Sequence, residues 1–506
     1  MPRAPKLKFD RGTLLLHPPP RGKAWLDFAT WDDRVEKFRI PAIYYRPLIE
    51  ALQADQKEFI DEAKEFYQIE LKSGYQLEPY PHQQEALQAW RQTGRTGVVV
   101  LPTAAGKTYL AQLAMQATPR TTLIVVPTLD LMHQWYAQME AAFPDVEVGL
   151  LGGGSRDRTP ILIATYNSAA IHAETIGNRY ALLIFDECHH LPTDFFKVIA
   201  EYAIAPYRLG LTATPERSDG THRYLDTLIG RIVYRKTAAE LSGNALADHK
   251  VVQIKVKLSP AEQKQYDRAI QTRNDFLRQS NISLGSLEGW QLFVQASARS
   301  PQGRKAMLAH REAKEIALGT DAKLRILTDL ISKHSPEGIL IFTNDNATVY
   351  RISQQFLIPA ITYQTPVKER HDILQKFKAG EYKTLVASHV LNEGVDVPDA
   401  RIAIILSGTG SAREYIQRLG RVLRKGNTFN KQAILYEIIT EDTSEERTSQ
   451  RRRGEEYSTN TQAKPKPQPQ HRQLEIIPFP DKPKPVRKKT YKAAEKSTKW
   501  NSDDGC

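Results

Sequence analysis

Four short runs, apolar at every position and rich in β-branched residues, constrain this chain most: Val98-Val99-Val100, Leu123-Ile124-Val125-Val126, Ile161-Leu162-Ile163-Ala164 and Leu182-Leu183-Ile184-Phe185. A strand with one wet face alternates apolar and polar residues; one that is apolar throughout is covered on both faces. Helical stretches between the runs supply both coverings, which predicts a doubly wound parallel sheet. The alternation returns at Ile339-Leu340-Ile341-Phe342, at Thr384-Leu385-Val386-Ala387 and over residues 402–406 and 433–438, predicting a second α/β domain. Residues 259–320 interrupt it with a polar, helical pattern (Tyr266 and Ile270 share a face), which predicts a helical arm. Residues 1–75 are rich in aromatics, with an extended stretch over 6–16 and a helical pattern over 46–66, and read as a small α+β unit. The C-terminal repeats Lys464-Pro465-Lys466-Pro467 and Lys482-Pro483-Lys484-Pro485 cannot bury enough apolar surface to offset ordering entropy, and predict a disordered basic tail. The expected division is 1–75, 76–240, 241–320, 321–453 and 454–506.

Composition narrows the setting. Hydrophobic residues make up 41% of the 506, enough for real cores, and no stretch of about 18 apolar residues offers a membrane span. The N-terminus lacks an apolar signal region. Two cysteines, Cys188 and Cys506, make neither a disulfide framework nor a zinc site, so a cytoplasmic setting is expected. Lys and Arg exceed Asp and Glu by 12, which points to an anionic partner, nucleic acid first. Residues 444–506 hold 15 basic and 9 acidic residues. Half the excess therefore sits in the tail, and bulk charge says little about the rest of the chain.

Motifs say more. Val98–Val100 lead into Leu101-Pro102-Thr103-Ala104-Ala105-Gly106-Lys107-Thr108, a strand, a loop of small residues, then Gly-Lys-Thr opening a helix. A triphosphate needs inward backbone N–H groups, which only small residues allow, and gains from the positive end of a helix. Lys107 is expected on the β/γ-phosphates of ATP and the Thr108 hydroxyl on Mg²⁺. Leu101 stands where the full motif has its first glycine. The run ending Phe185-Asp186-Glu187 places two carboxylates at the C-terminal end of a buried strand, where open α/β sheets bind ligands. Asp186 is expected to hold Mg²⁺ through water, and Glu187 to orient and polarise the attacking water.

With these residues in place the chain resembles superfamily 2 helicases. Asp186-Glu187-Cys188-His189 looks like a DExH box, Pro81-His82-Gln83-Gln84 like the Q motif, Val126-Pro127-Thr128-Leu129 like motif Ia and Ala164-Thr165-Tyr166-Asn167-Ser168 like motif Ib. Gly210-Leu211-Thr212-Ala213-Thr214-Pro215 resembles motif III and Ile341-Phe342-Thr343-Asn344 motif IV. Asn392-Glu393-Gly394-Val395-Asp396-Val397-Pro398 resembles motif V, and Gln417-Arg418-Leu419-Gly420-Arg421-Val422-Leu423-Arg424 motif VI. Within the superfamily the likeness is to compact XPB-type helicases, over residues 6–453. It rests on residues 211–220, which look like the block ending in the Arg-Glu-Asp motif, and on residues 407–424 and 443–453. It rests also on Asp10-Arg11-Gly12-Thr13, Trp31-Asp32-Asp33-Arg34 and Tyr44-Tyr45-Arg46, which resemble the damage-recognition-like N-terminal domain.

The resemblance implies two RecA-like parallel-sheet motor domains in tandem, with 259–320 as a thumb-like insertion. It implies catalytic roles for Lys107, Asp186, Glu187, Gln417, Arg421 and Arg424, the last two as arginine fingers. Nucleotide would be held by Gln83, Thr103, Ala104, Ala105, Gly106, Lys107, Thr108, Gly394 and Asp396. His189, Thr212 and Thr214 would couple that site to DNA, contacted by Thr128, Thr165, Arg217 and Asp219. For Thr128 and Thr165 a turn or helix N-cap role is an equally good local reading. Two departures stand out: Ser218 occupies the middle acid of the Arg-Glu-Asp motif, and Tyr80 the place of an arginine before Gln83. The implied activity is ATP-dependent 3′–5′ DNA unwinding or translocation in repair, on single-stranded or forked DNA, at the nucleoid and with a partner nuclease. An RNA helicase, a restriction-system motor subunit and a nucleotide-gated DNA-binding scaffold are the alternatives.

Overall fold

The computed structural model describes residues 4–20, 25–54, 58–75, 77–217, 219–241, 249–284, 287–388, 400–407, 433–446 and 448–449. The N-terminal part is a five-stranded sheet of order β3-β4-β2-β1-β5, from β1 (Lys6–Asp10), β2 (Thr13–His17), β3 (Thr30–Asp32), β4 (Lys37–Pro41) and β5 (Ile60–Asp61). The extended reading of 6–16 resolves into a hairpin turned at Arg11-Gly12, both in left-handed conformation. Helix α1 (Tyr45–Ala54) covers the sheet with Tyr45, Leu48 and Leu52. The expected helix over 46–66 is only half present. Ile60 and Asp61 instead pair in parallel with Lys6 and Leu7, and Asp61 accepts a 2.6 Å hydrogen bond from the Tyr45 hydroxyl. Strand pairing and that side-chain bond override the helical period.

The second sheet has eight strands in the order β13-β6-β12-β11-β7-β10-β8-β9. In chain order its elements are α2 (Pro81–Gln92), β6 (Thr96–Val100), α3 (Lys107–Ala117), β7 (Thr122–Val126), α4 (Leu129–Ala142), β8 (Val148–Gly152), β9 (Ser155–Arg156), β10 (Ile161–Thr165), α5 (Tyr166–Ile176), β11 (Leu182–Asp186), α6 (Val198–Glu201), β12 (Tyr207–Thr212), α7 (Leu225–Leu228), β13 (Ile232–Arg235) and α8 (Ala238–Leu241). All but the β8–β9 hairpin pair in parallel. The apolar runs lie where their composition puts them. Ile124, Ile184 and Leu209 face one core, while Val98, Leu123 and Phe185 face the other.

The third sheet orders β14-β19-β18-β15-β17-β16. Strand β14 (His249–Val256) is followed by three long helices, α9 (Pro260–Gln279), α10 (Leu287–Arg299) and α11 (Pro301–Gly319). Then come α12 (Asp321–Lys333), β15 (Ile339–Phe342), α13 (Asn346–Phe356), β16 (Ala360–Ile361), α14 (Val367–Ala379), β17 (Thr384–Ala387), β18 (Ile402–Ile405) and β19 (Ala433–Thr440). The range read as linker and arm thus also holds β14, paired along its length with β19. In the arm Phe293 is buried against Phe276, Trp290 and His310, while Trp290 keeps an exposed edge. The expected disordered tail lies outside the described residues.

Candidate functional site

The parallel order β6-β12-β11 brings the phosphate-type loop and the paired carboxylates to one edge of the second sheet. The loop leaves β6 at Leu101 and enters α3 at Lys107, with Ala104 (φ 68°) and Gly106 (φ 76°) in left-handed conformation. Glycine is favoured at 106 by the left-handed φ, and a Cβ there would displace Gln83 Nε2. Helix α2 holds the loop by its carbonyls. Ala105 O lies 2.9 Å from His82 Nε2, and Gly106 O accepts from Gln83 Nε2 at 3.1 Å. The first N–H groups of α3 carry no side-chain cap, which leaves the positive end of an 11-residue helix open for an anion. Within the loop the Thr103 hydroxyl is buried without a hydrogen-bond partner, and Ala105 is buried. Thr108 lies in the first turn of α3.

Lys107 reaches back over the loop. Its Nζ donates to Leu101 O at 3.3 Å and lies 3.9 Å from Glu187 Oε1. Asp186, at the end of β11, is buried; Oδ2 accepts from Trp135 Nε1 at 2.9 Å and Oδ1 from the Glu187 N–H at 3.1 Å. Burial first, then the charge of Glu187, pushes the Asp186 carboxyl up to about 6, against the pull of Lys107 and the Trp135 donor. Glu187 takes a left-handed conformation (φ 47°). Its Oε2 accepts from the Thr212 hydroxyl at 3.3 Å and lies 3.4 Å from His189 Nδ1. His189 is fully buried, with Nδ1 3.0 Å from Thr212 Oγ1, and the Thr214 N–H donates to that same oxygen at 3.2 Å.

The network continues outward. Arg217 donates to His189 O at 2.9 Å and forks onto Asp219, with Nη2 to Oδ2 at 2.7 Å. Asp219 also accepts the Thr221 hydroxyl and N–H at 2.7 and 3.0 Å. Arg217, then Thr221, holds the Asp219 carboxyl well below the usual carboxylate range. One contiguous chain of contacts therefore joins Lys107, Glu187, Thr212, His189, Arg217 and Asp219.

Other expected residues sit differently. Gln83, expected to hold nucleotide, has its Oε1 on the Tyr80 N–H at 2.9 Å and its Nε2 on the loop, so both ends of its amide are engaged. Thr128 and Thr165 are N-caps, accepting from the Leu131 and Ser168 N–H groups at 3.3 and 3.2 Å. Ser218, Gly394, Asp396, Gln417, Arg421 and Arg424 lie outside the described residues. Sequence reasoning missed Trp135 on Asp186, and Tyr166, whose hydroxyl donates to Asp186 O at 3.0 Å. Trp135 stands on α4, after the Ia-like motif, and Tyr166 is the middle residue of the Ib-like motif and opens α5; neither motif reading gave them this contact.

Comparison with known proteins gives the kinship of the chain. Residues 76–217 match the family of the type III restriction enzyme res subunit, 322–426 the helicase conserved C-terminal domain, and 7–63 the xeroderma pigmentosum group B helicase damage recognition domain. A DNA 3′–5′ translocase XPB2 of Sulfurisphaera tokodaii is 41% identical over 450 residues, covering 88% of this chain and 99% of that protein. A DNA 3′–5′ helicase XPB of Kineococcus radiotolerans is 30% identical over 389 residues, covering 74% of this chain and 62% of that one. The crystal structure of the Pyrococcus furiosus Hef helicase domain matches with a TM-score of 0.50 at 19% identity, over 75% of this chain and 98% of that domain, a likeness of fold. A 41% identity over nearly the full length of a translocase, joined to the three domain matches in order, settles the kinship: the chain belongs to the XPB-type superfamily 2 DNA helicases.

Proposed function

We propose that this protein hydrolyses ATP and converts the cycle into 3′–5′ movement along DNA, opening single-stranded–duplex forks during repair. The observation that carries the reading is the Glu187 carboxylate, held between Lys107 at 3.9 Å and the Thr212–His189 pair. Lys107 and the open end of α3 would bind and neutralise the phosphates, and the orphaned Thr103 hydroxyl suits an oxygen-rich ligand. Glu187, aimed by Thr212, would take a proton from the attacking water. Thr108 and Asp186 would hold Mg²⁺, which supplies charge neutralisation at the transferring phosphoryl group. Trp135 orients Asp186 for that task through its indole N–H. His189 and Arg217 would carry changes at Glu187 to the Asp219 turn, and the Thr214 N–H donates to the Thr212 hydroxyl that His189 and Glu187 share.

We assign Gln417, Arg421, Arg424, Gly394 and Asp396 to the nucleotide, the N-terminal sheet to recognition of distorted DNA, and α9–α11 to a thumb-like grip. The domain division 1–75, 76–240, 241–320, 321–453 and 454–506 belongs to the same reading, as do a nuclease partner and work at the nucleoid. No helix among the described residues is long and apolar enough to cross a membrane. The test is ATP turnover by wild type and Lys107→Ala with no nucleic acid, single-stranded DNA, forked DNA and RNA. Turnover raised by DNA and lost in the variant is expected. Background turnover throughout would refute the motor, and equal stimulation by RNA would refute the DNA assignment.

A further inference from the structure

The third sheet carries an exposed aromatic that the motor chemistry leaves unused. Strand β16 ends at Ile361, and the chain turns through Thr362-Tyr363-Gln364-Thr365 before α14. The turn is closed by three bonds. Thr365 N–H donates to Thr362 O at 3.1 Å, Thr362 N–H to Thr365 Oγ1 at 2.9 Å, and Gln364 N–H to Thr362 Oγ1 at 3.3 Å. Thr362 is fully buried, whereas Tyr363 at the tip is 70% exposed. Its hydroxyl accepts from Gln364 Nε2 at 3.2 Å, and Gln364 Oε1 accepts from the Tyr350 hydroxyl on α13 at 3.0 Å. Tyr350 is itself partly exposed, and its hydroxyl lies 3.2 Å from Thr362 Oγ1. The closed turn and the bond to Gln364 hold the exposed ring in place before any partner arrives, so little further ordering entropy would be lost on binding.

Position indicates the partner. The parallel strands β15, β16, β17 and β18 end on one edge of the sheet, the edge at which such sheets receive ligands. Arg370 of α14 adjoins the turn, donating Nη2 to Thr365 O at 3.2 Å. Its Nη1 reaches Asp130 Oδ2 at 3.3 Å, in the first turn of α4, whose N-cap is Thr128. Arg370 Nε is buried without a hydrogen-bond partner. The tyrosine tip thus continues, through one guanidinium, a line that starts at the α4 N-terminus, where the resemblance implies a DNA contact at Thr128. A flat, tethered ring beside such a line fits a base, since any base offers a π-face. We propose that Tyr363 is a stacking platform for an unpaired nucleobase of the tracked DNA strand, a proposal that rests on the DNA-motor reading.

The test uses the full chain and a labelled single strand with normal bases, against the same strand with abasic sites, each at two salt concentrations. Tyr363→Ala is expected to bind the base-bearing strand about tenfold more weakly and the abasic strand like wild type. Tyr363→Phe and Tyr363→Trp should keep most of the affinity, and the salt slope should not change, because no phosphate contact is lost. DNA-free ATP turnover should stay at the wild-type rate. Equal affinity of wild type and Tyr363→Ala for the base-bearing strand overturns the platform, and so does an equal loss on the abasic strand. DNA stimulation of wild-type ATPase is measured alongside. If it is present while Tyr363→Ala has no effect, only the platform fails; if it is absent, the motor reading fails with it.

Discussion

Replacing Lys323 by Met should destabilise the second α/β domain by more than any surface change in it. Lys323 Nζ, 1% exposed, donates to both Glu445 oxygens at 2.7 and 2.6 Å and to Leu406 O at 2.5 Å. Glu445 also accepts the Thr440 N–H at 3.0 Å, and Thr440 Oγ1 donates to Ala317 O at 2.7 Å. One buried ammonium therefore ties the start of α12, the exit of β18 and the end of β19. The next residue after Leu406, Ser407, binds the Asn344 N–H and the Thr343 hydroxyl at 2.7 and 3.0 Å, so the β15 and β18 ends are held as a unit. Methionine keeps the volume but strands a buried carboxylate, a loss of about 3–5 kcal/mol. Adding Glu445→Leu removes the stranded charge. The double variant should recover to within about 1–2 kcal/mol of wild type, the remainder being the Thr440 N–H and Leu406 O left without these partners. Hydrogen exchange of peptides covering β15 and β18 reads this locally, which suits a chain of several domains better than one global melt. A single-variant loss below about 1 kcal/mol, or a double variant worse than the single, would refute the pair as the clamp of this edge.

Three further outcomes are expected. Glu187→Gln should lower kcat by about 10²–10⁴ while nucleotide still binds; an unchanged kcat in a stopped assay removes Glu187 from the chemistry. Gly12→Ala meets both a left-handed φ of 83° and the Tyr202 ring, so protease cleavage within residues 4–52 should quicken, and an unaltered pattern counts against docking through this turn. The Asp219 carboxyl lies below its ordinary value because of Arg217 and Thr221. The contribution of this pair is therefore fully present above the ordinary carboxylate value and is lost only as pH falls through the lowered one. A carboxyl-carbon NMR titration should place the Asp219 midpoint well below that of an ordinary aspartate, and an ordinary midpoint would show that the fork does not form in solution.

Legibility followed the kind of force involved. Four of the eight strands of the second sheet, β6, β7, β10 and β11, were readable because double burial writes itself as unbroken apolar runs, as at Leu182-Leu183-Ile184-Phe185. Strand β14 was not, because His249-Lys250-Val251-Val252-Gln253-Ile254-Lys255-Val256 mixes polar and apolar residues, and only its pairing with β19 makes it a strand. The short β5 depends likewise on a partner far away in sequence. At the site, the motifs name Lys107, Asp186 and Glu187 together, and the structure brings Lys107 and Glu187 within 3.9 Å of one another beside Asp186. The second halves of other assignments were not legible. That Gln83 spends its amide on Tyr80 and Gly106, and that Thr128 and Thr165 cap helices, are choices among hydrogen-bond partners that a sequence does not rank.

The two accessory parts are attached to different lobes, and this constrains how any cycle transmits force. The N-terminal sheet is fused to the second sheet's domain. Ile204 lies in its core, Asn178 donates to Ala63 O at 2.9 Å, and Arg46 donates to Gly94 O at 2.6 Å. The helical arm is fused to the third sheet's domain instead, with the Ser444 N–H on the Tyr266 hydroxyl at 2.9 Å and Thr440 Oγ1 on Ala317 O. Packed cores and buried hydrogen bonds deform little. A change in the separation of the lobes must therefore appear as movement of the arm against the N-terminal sheet rather than as bending within either. Weakening two of those attachments together, with Asn178→Ala and Arg46→Ala, should then lower DNA opening per ATP while leaving turnover itself near wild type, and unchanged opening per ATP would refute the linkage.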